Sequence, residues 1–219
     1  MPLLPIYIYF IAINWLVSLS AFYNAKKIPF YLKAFSFFLL STLIEEVFAL
    51  YLSTIGKTNL PLYNFFTTFE FCFYLWIINL VIHNTRVKGI IKITIVFYAI
   101  LAIINILFIQ KIRTFHTITY SLGCLLIVIF CIYYFFELFR LPKSVSLATN
   151  PAFWICSGLL FFYCCGFPLY GLINYWSDIS QLVLKNFDRI FTILNIFLYT
   201  LFTIAFLCVR TRRYTLSSS

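Results

Sequence analysis

Seven runs of 20 to 24 mostly apolar residues follow one another along this chain, at 3–24, 34–55, 62–83, 90–109, 118–139, 151–174 and 186–208. Only 6 to 11 residues separate consecutive runs. A bilayer core about 30 Å thick is crossed by roughly 20 residues of α-helix. Such a helix satisfies every backbone N–H and C=O within itself, which the hydrocarbon demands. The pattern predicts an all-α integral membrane protein, a seven-transmembrane-helix bundle in which residues 1–219 form a single transmembrane domain. The short connections leave no room for a soluble domain and force neighbouring helices to run antiparallel. Composition agrees: 63% of the residues are apolar and 10% are charged, whereas a soluble domain carries about 25% charged residues. A soluble enzyme, a disordered chain and a secreted disulfide scaffold are excluded.

Charge sets the expected orientation. Sixteen Lys and Arg against six Asp and Glu give a net charge of +10, a balance that in a soluble protein points to nucleic acid. Here the cations punctuate the apolar runs, so no nucleic-acid partner is expected. Lys26, Lys27, Lys33, Arg86, Lys88, Lys92, Arg140, Lys143, Arg210, Arg212 and Arg213 fall on one side, 11 in all. The other side has 5: Lys57, Lys111, Arg113, Lys185 and Arg189. Basic loops stay in the cytoplasm, which places the N-terminus outside and the C-terminus inside. The basic cytoplasmic face suits contact with anionic lipids. The first run has no Lys or Arg ahead of it and exceeds a signal-peptide core in length, so it reads as an uncleaved anchor. The seven cysteines lie within or at the ends of the runs and show no metal-ligand spacing, so they read as small packing residues.

Polar residues recur on the runs at helical spacing, where offsets of 4, 7 and 11 share one face. Run 3 carries Tyr63, Thr67, Glu70 and Tyr74; run 2 carries Thr42, Glu46, Ala49 and Ser53. Run 7 has Asp188, Thr192, Asn195 and Tyr199, run 1 has Asn14, Ser18, Ala21 and Ala25, and run 4 has Thr94, Tyr98 and Asn105. Run 6 offers a line of small residues, Ser157, Cys164, Pro168 and Gly171. These lines either pack helices through small side chains and hydrogen bonds or face a polar cavity along the bundle axis.

Carboxylates inside a membrane are expensive, which singles out Glu45, Glu46 and Glu70. At about 1.5 Å per residue, Glu46 and Glu70 come to similar depths near the middle of runs 2 and 3. No Lys or Arg sits midway along any run. The three carboxylates are therefore protonated, hydrogen-bonded, hydrated, or paired with something the chain does not supply. Glu45, Glu46, Glu70, Tyr63, Thr67, Tyr74, Asn195 and Tyr199 form the candidate ligand, proton or cation site. The other acids have local readings. Glu137 precedes Arg140 by three residues and is expected to pair with it. Asp188 is expected in the first turn of the last helix, where helix polarity favours it. Asp178 is placed to cap a short interfacial helix containing Leu182 and Val183.

Several chemistries have no residues to carry them. His83 and His116 lie on opposite sides, so no three-histidine zinc site is expected, and no Ser/His/Asp set forms at one depth. No lysine lies midway along run 7 for a retinal Schiff base. No enzyme activity, cofactor or metal is expected.

The stretches NPAFWICSGLLFFY at 150–163 and NIFLYTLFTIAFLC at 195–208, with YNFFTTFEFCFYLW at 63–76, carry a resemblance. They are similar to a group of uncharacterised seven-helix membrane proteins of Bacteroidetes-type bacteria, with Asn64 and Glu70 at matching places in the third helix. Some members of that group sit ahead of histidine kinases. The resemblance implies a multi-pass protein of the bacterial inner membrane. The chain ends at Ser219, so any output domain is expected on a separate, docked signalling partner.

Three functions follow as expectations. The first is a sensor-like, receptor-like or accessory module that binds a small ligand, lipid or partner through its polar interior, with a separate signalling protein or a second copy of the chain, as a homo-oligomer, as the expected partner. The second is a proton- or cation-coupled transporter using the midplane glutamates. The third is an intramembrane lipid hydrolase, which lacks a nucleophile–base pair.

Overall fold

The computed structural model of the chain describes residues 5–24, 28–110, 112, 114–140, 147–171 and 181–216; side chains are described for these except 23–24, 170–171, 181–185 and 210–216. Among them are seven α-helices: α1 (Ile6–Asn24), α2 (Phe30–Thr54), α3 (Leu60–Val81), α4 (Thr85–Ile104), α5 (Thr117–Arg140), α6 (Pro151–Gly171) and α7 (Gln181–Leu216). Six are long and apolar enough to cross a membrane. The apolar stretch of α1, Ile6–Phe22, is shorter; at 1.5 Å per residue it reaches about 26 Å, the lower edge of a spanning length.

The helix ends follow local chemistry. Pro29 precedes α2, and Pro61 and Pro151 lie in the first turns of α3 and α6, where a missing N–H costs nothing. Asn84 caps α4, its side chain accepting hydrogen bonds from the backbone N–H of Arg86 at 3.0 Å and Val87 at 3.4 Å. Gly56, at φ +69°, closes α2 by bonding to Ser53 while Lys57 bonds to Leu52, the paired left-handed stop that favours glycine. α4 loosens into one π-turn at Asn105–Ile109.

Two hydrogen bonds fix the register of α1 on α2. Ser18 and Ser36 share one at 2.6 Å, and Tyr7 donates to Glu46 at 2.9 Å. Moving back 11 residues on α1 moves 10 forward on α2, so the two helices run antiparallel and in step. At one end of the bundle Asn64 ties α3 to the segment before α5: its amide donates to the Thr114 carbonyl at 2.8 Å and its oxygen accepts from His116 N–H at 3.1 Å. At the other end Glu137 of α5 accepts from the backbone N–H of His83 and of Asn84, each at 2.7 Å. His83 and His116 therefore lie at opposite ends.

Packing is tightest where aromatic rings meet small residues. A Cβ on Gly123 of α5 would stand 2.6 Å from the Phe71 ring, so only glycine admits that ring between α3 and α5. At Gly158 the fit is looser: a Cβ would stand 3.2 Å from Leu198 and 3.4 Å from Leu201 and Phe202 of α7. The outward faces carry Phe37, Phe65, Ile93 and Phe108, all strongly exposed. A surface of this kind suits lipid rather than water.

Four local readings change. Glu137 holds the α3–α4 junction and makes its ion contact with His83, at 3.6 Å, while Arg140 lies 3.8 Å over the Phe136 ring. A carboxylate beside two free N–H groups gains more from them than from an exposed i,i+3 pair. α7 begins at Gln181, so Asp188 stands in its second turn or beyond and is exposed. On α6, Cys164 and Pro168 face outward, whereas Cys156, Leu159, Tyr163 and Gly166 face in. The inner line is one residue, or about 100°, away from the line of small residues. α2 starts four residues before its apolar run, which moves Glu46 off centre: it lies about 24 Å from the start of the helix and about 12 Å from its end. Asp178, Ala25, Lys26, Lys27, Lys111, Arg113 and Lys143 lie outside the described residues, as do the burial of Gly171 and the side chains of Leu182, Val183, Lys185, Arg210, Arg212 and Arg213.

Candidate functional site

Glu46 is the most fully held of the three carboxylates. One of its oxygens accepts from the Tyr7 hydroxyl at 2.9 Å and from the Tyr63 hydroxyl at 3.2 Å. Tyr7 belongs to the first turn of α1 and Tyr63 to the first turn of α3, so a single carboxylate on α2 ties three helices at one end of the bundle. All three residues are half-buried. Two hydroxyl donors to one carboxylate are the arrangement that stabilises a negative group in a site of low polarity.

Glu70 lies deeper, ten residues into α3 and about 15 Å from its start. It is half-buried, and Glu46 is within its electrostatic reach. Around it stand Tyr74 of α3, Tyr163 of α6 and Tyr199 of α7, all buried. The Tyr74 and Tyr163 hydroxyls lie close enough to Glu70 to act on it, yet neither reaches hydrogen-bond distance and angle with a protein group. Glu45, next to Glu46 along α2, is buried, lies within reach of both other carboxylates, and has one oxygen without a partner. Among the described residues no Lys, Arg or His makes an ion pair with Glu45, Glu46 or Glu70.

Beneath Tyr74 the interior closes. Its ring lies 5.1 Å from Phe38, 6.2 Å from Phe35 and 6.3 Å from Phe202. Phe38 stacks on Phe73 at 4.1 Å, and Phe35 meets Phe202 edge-on at 4.8 Å. The polar cluster is thus backed by a layer of aromatic side chains from α2, α3 and α7.

Six of the eight residues singled out from the sequence come together here: Glu45, Glu46, Glu70, Tyr63, Tyr74 and Tyr199. The other two are engaged on their own helices. Thr67 donates to the Tyr63 carbonyl at 2.7 Å, and Asn195 to the Phe191 carbonyl at 2.9 Å. Such back-bonding satisfies a short polar side chain within one helix. Two members were not singled out, and both had a signal. Tyr7 precedes Asn14 by seven residues, which extends the polar line of α1 backward by two turns. Tyr163 follows Cys156 by seven, one position from the line read along run 6.

Comparison of the chain with family models, with curated proteins and with solved structures gives no match.

Proposed function

We propose that this chain is a multi-pass membrane protein of receptor-like or accessory type, which takes a small ligand into its polar interior from the end marked by the α2–α3 turn. The observation that carries this reading is the Glu46 carboxylate held by Tyr7 and Tyr63, with Glu70 and two unpartnered tyrosine hydroxyls behind it. Polar groups converging in an otherwise apolar bundle are the usual signature of a binding site between helices. The aromatic layer behind Tyr74 supports a closed-ended site. All seven helices cross the membrane in this reading, α1 at the lower edge of spanning length. The excess of cations on one set of loops supports an outside N-terminus and a cytoplasmic C-terminus. The resemblance noted above supports a bacterial inner membrane and a separate signalling partner, and the basic face suits anionic lipids.

The second reading, a proton- or cation-coupled transporter, is favoured by one observation: Glu46 and Glu70 lie within electrostatic reach of each other at nearly the same distance from one end. Proteoliposomes separate the two. The receptor-like reading expects neither dissipation of an imposed pH gradient nor uptake of sodium or potassium beyond that of empty vesicles. Flux that Glu70→Gln abolishes would establish transport instead. For the first reading, the protein in nanodiscs is expected to gain thermal stability from at least one member of a panel of organic ions, neutral polar solutes and phospholipids, and to lose that gain in Glu46→Gln.

A further inference from the structure

We infer that the inner part of this site, around Glu70, recognises a small organic ammonium cation. The inference rests on the binding-site reading above and deepens it by naming the chemistry of the ligand. Charge is the first argument. Three carboxylates lie within reach of one another and, among the described residues, no cationic side chain pairs with any of them. An anionic ligand would add a further negative charge to this group, and a cation would relieve it.

The second argument comes from the hydroxyls. Tyr74 and Tyr163 are 0% and 1% exposed, lie close to Glu70, and have no partner for their hydroxyls. A buried hydroxyl without a partner is costly, and a ligand carrying several N–H donors would satisfy its oxygen. An ammonium group would donate to the Glu70 carboxylate and to these two oxygens together.

Aromatic rings packed on one another supply the third. The Tyr74 ring lies 6.0 Å from Tyr163 and 6.3 Å from Phe202, and Phe202 lies 6.0 Å from Tyr199. These four rings come from three helices. Aromatic faces attract a cation within about 6 Å of their centroids, and most strongly where water is excluded. A bare metal ion is served less well. Among the described residues no three His, Cys, Asp or Glu side chains converge closely enough to hold one.

The test uses the full chain in phosphatidylcholine nanodiscs and three probes of one shape: benzylammonium, benzyl alcohol and phenylacetate. Binding is read by calorimetry with empty nanodiscs subtracted. Benzylammonium is expected to bind at least about tenfold more tightly than the other two, and Glu70→Gln to weaken it by at least about tenfold, since hydrogen bonds to charged groups exceed 1.4 kcal/mol. Tyr163→Phe removes a hydroxyl that has no protein partner. It is expected to weaken benzylammonium binding about fivefold while leaving the melting temperature unchanged, and it carries the test if Glu70→Gln fails to fold. Benzyl alcohol or phenylacetate binding as tightly as benzylammonium, and lost in Glu46→Gln, would overturn the ammonium assignment and leave the binding site standing. Sodium displacing benzylammonium at equal concentration would give the site to a metal ion and overturn it equally. Failure of all three probes and of the wider panel would overturn both readings.

Discussion

Tyr7, in the first turn of α1, donates its hydroxyl hydrogen to Glu46 of α2 across 2.9 Å, and Tyr63 of α3 reaches the same carboxylate oxygen at 3.2 Å. The charged or polar centre of the bundle is thereby also one of its fastenings. α1 has the shortest apolar stretch, and this bond lies at its very start, where helix ends otherwise fray. In the proposed reading, binding and helix assembly share one carboxylate.

Removing that fastening should be measurable. Tyr7→Phe is expected to lower the unfolding free energy in detergent micelles by about 1 kcal/mol, and Tyr63→Phe by less, since its contact is longer. The double variant should cost more than either single change. A Tyr7→Phe protein as stable as the parent would show that the bond contributes nothing to holding α1.

Gly123 makes a different demand, one of space alone. A methyl group there would stand 2.6 Å from the Phe71 ring, which is itself wedged against Tyr98, Tyr120 and Tyr163. Gly123→Ala is expected to destabilise the bundle by about 1–3 kcal/mol, the usual cost of overpacking. The thermal midpoint in nanodiscs should fall accordingly. An unchanged midpoint would mean that α3 and α5 separate freely and that this contact is not tight.

How much of this was legible beforehand depends on the kind of signal. Length and apolarity mark helices α2 to α7 well, because crossing a bilayer imposes a length that few other structures require. The carboxylates stood out because an intramembrane charge is rare. Angular position was harder. A shift of one residue turns a side chain by about 100°, and that is the difference between Ser157–Cys164 on run 6 and the Cys156–Tyr163 pair that faces inward. Thr67 and Asn195 share a face with real members of the cluster, yet each bonds to its own helix, a choice that spacing does not reveal. The Glu137 bonds join residues more than fifty positions apart, and no local pattern announces a carboxylate that caps another helix's end.

Glu137 can be tested where it acts. Glu137→Ala leaves the backbone N–H groups of His83 and Asn84 without their 2.7 Å acceptors. A loss of about 2–3 kcal/mol is expected, less for Glu137→Gln, which keeps one carbonyl oxygen. Amide hydrogen exchange at His83 and Asn84 should quicken in the alanine variant and change least elsewhere. Exchange that stays as slow as in the parent would mean that these groups have another acceptor.

The central claim is that Glu46 and Glu70 line a site that a ligand enters, rather than a seam that merely joins helices. An experimental map of the protein in nanodiscs, recorded with and without benzylammonium, addresses it most directly. The account predicts ligand density beside Glu70, enclosed by Tyr74, Tyr163 and Tyr199, that is present only with the compound. Side chains packed continuously from Glu46 to Glu70 in both maps, with no density between them, would contradict it.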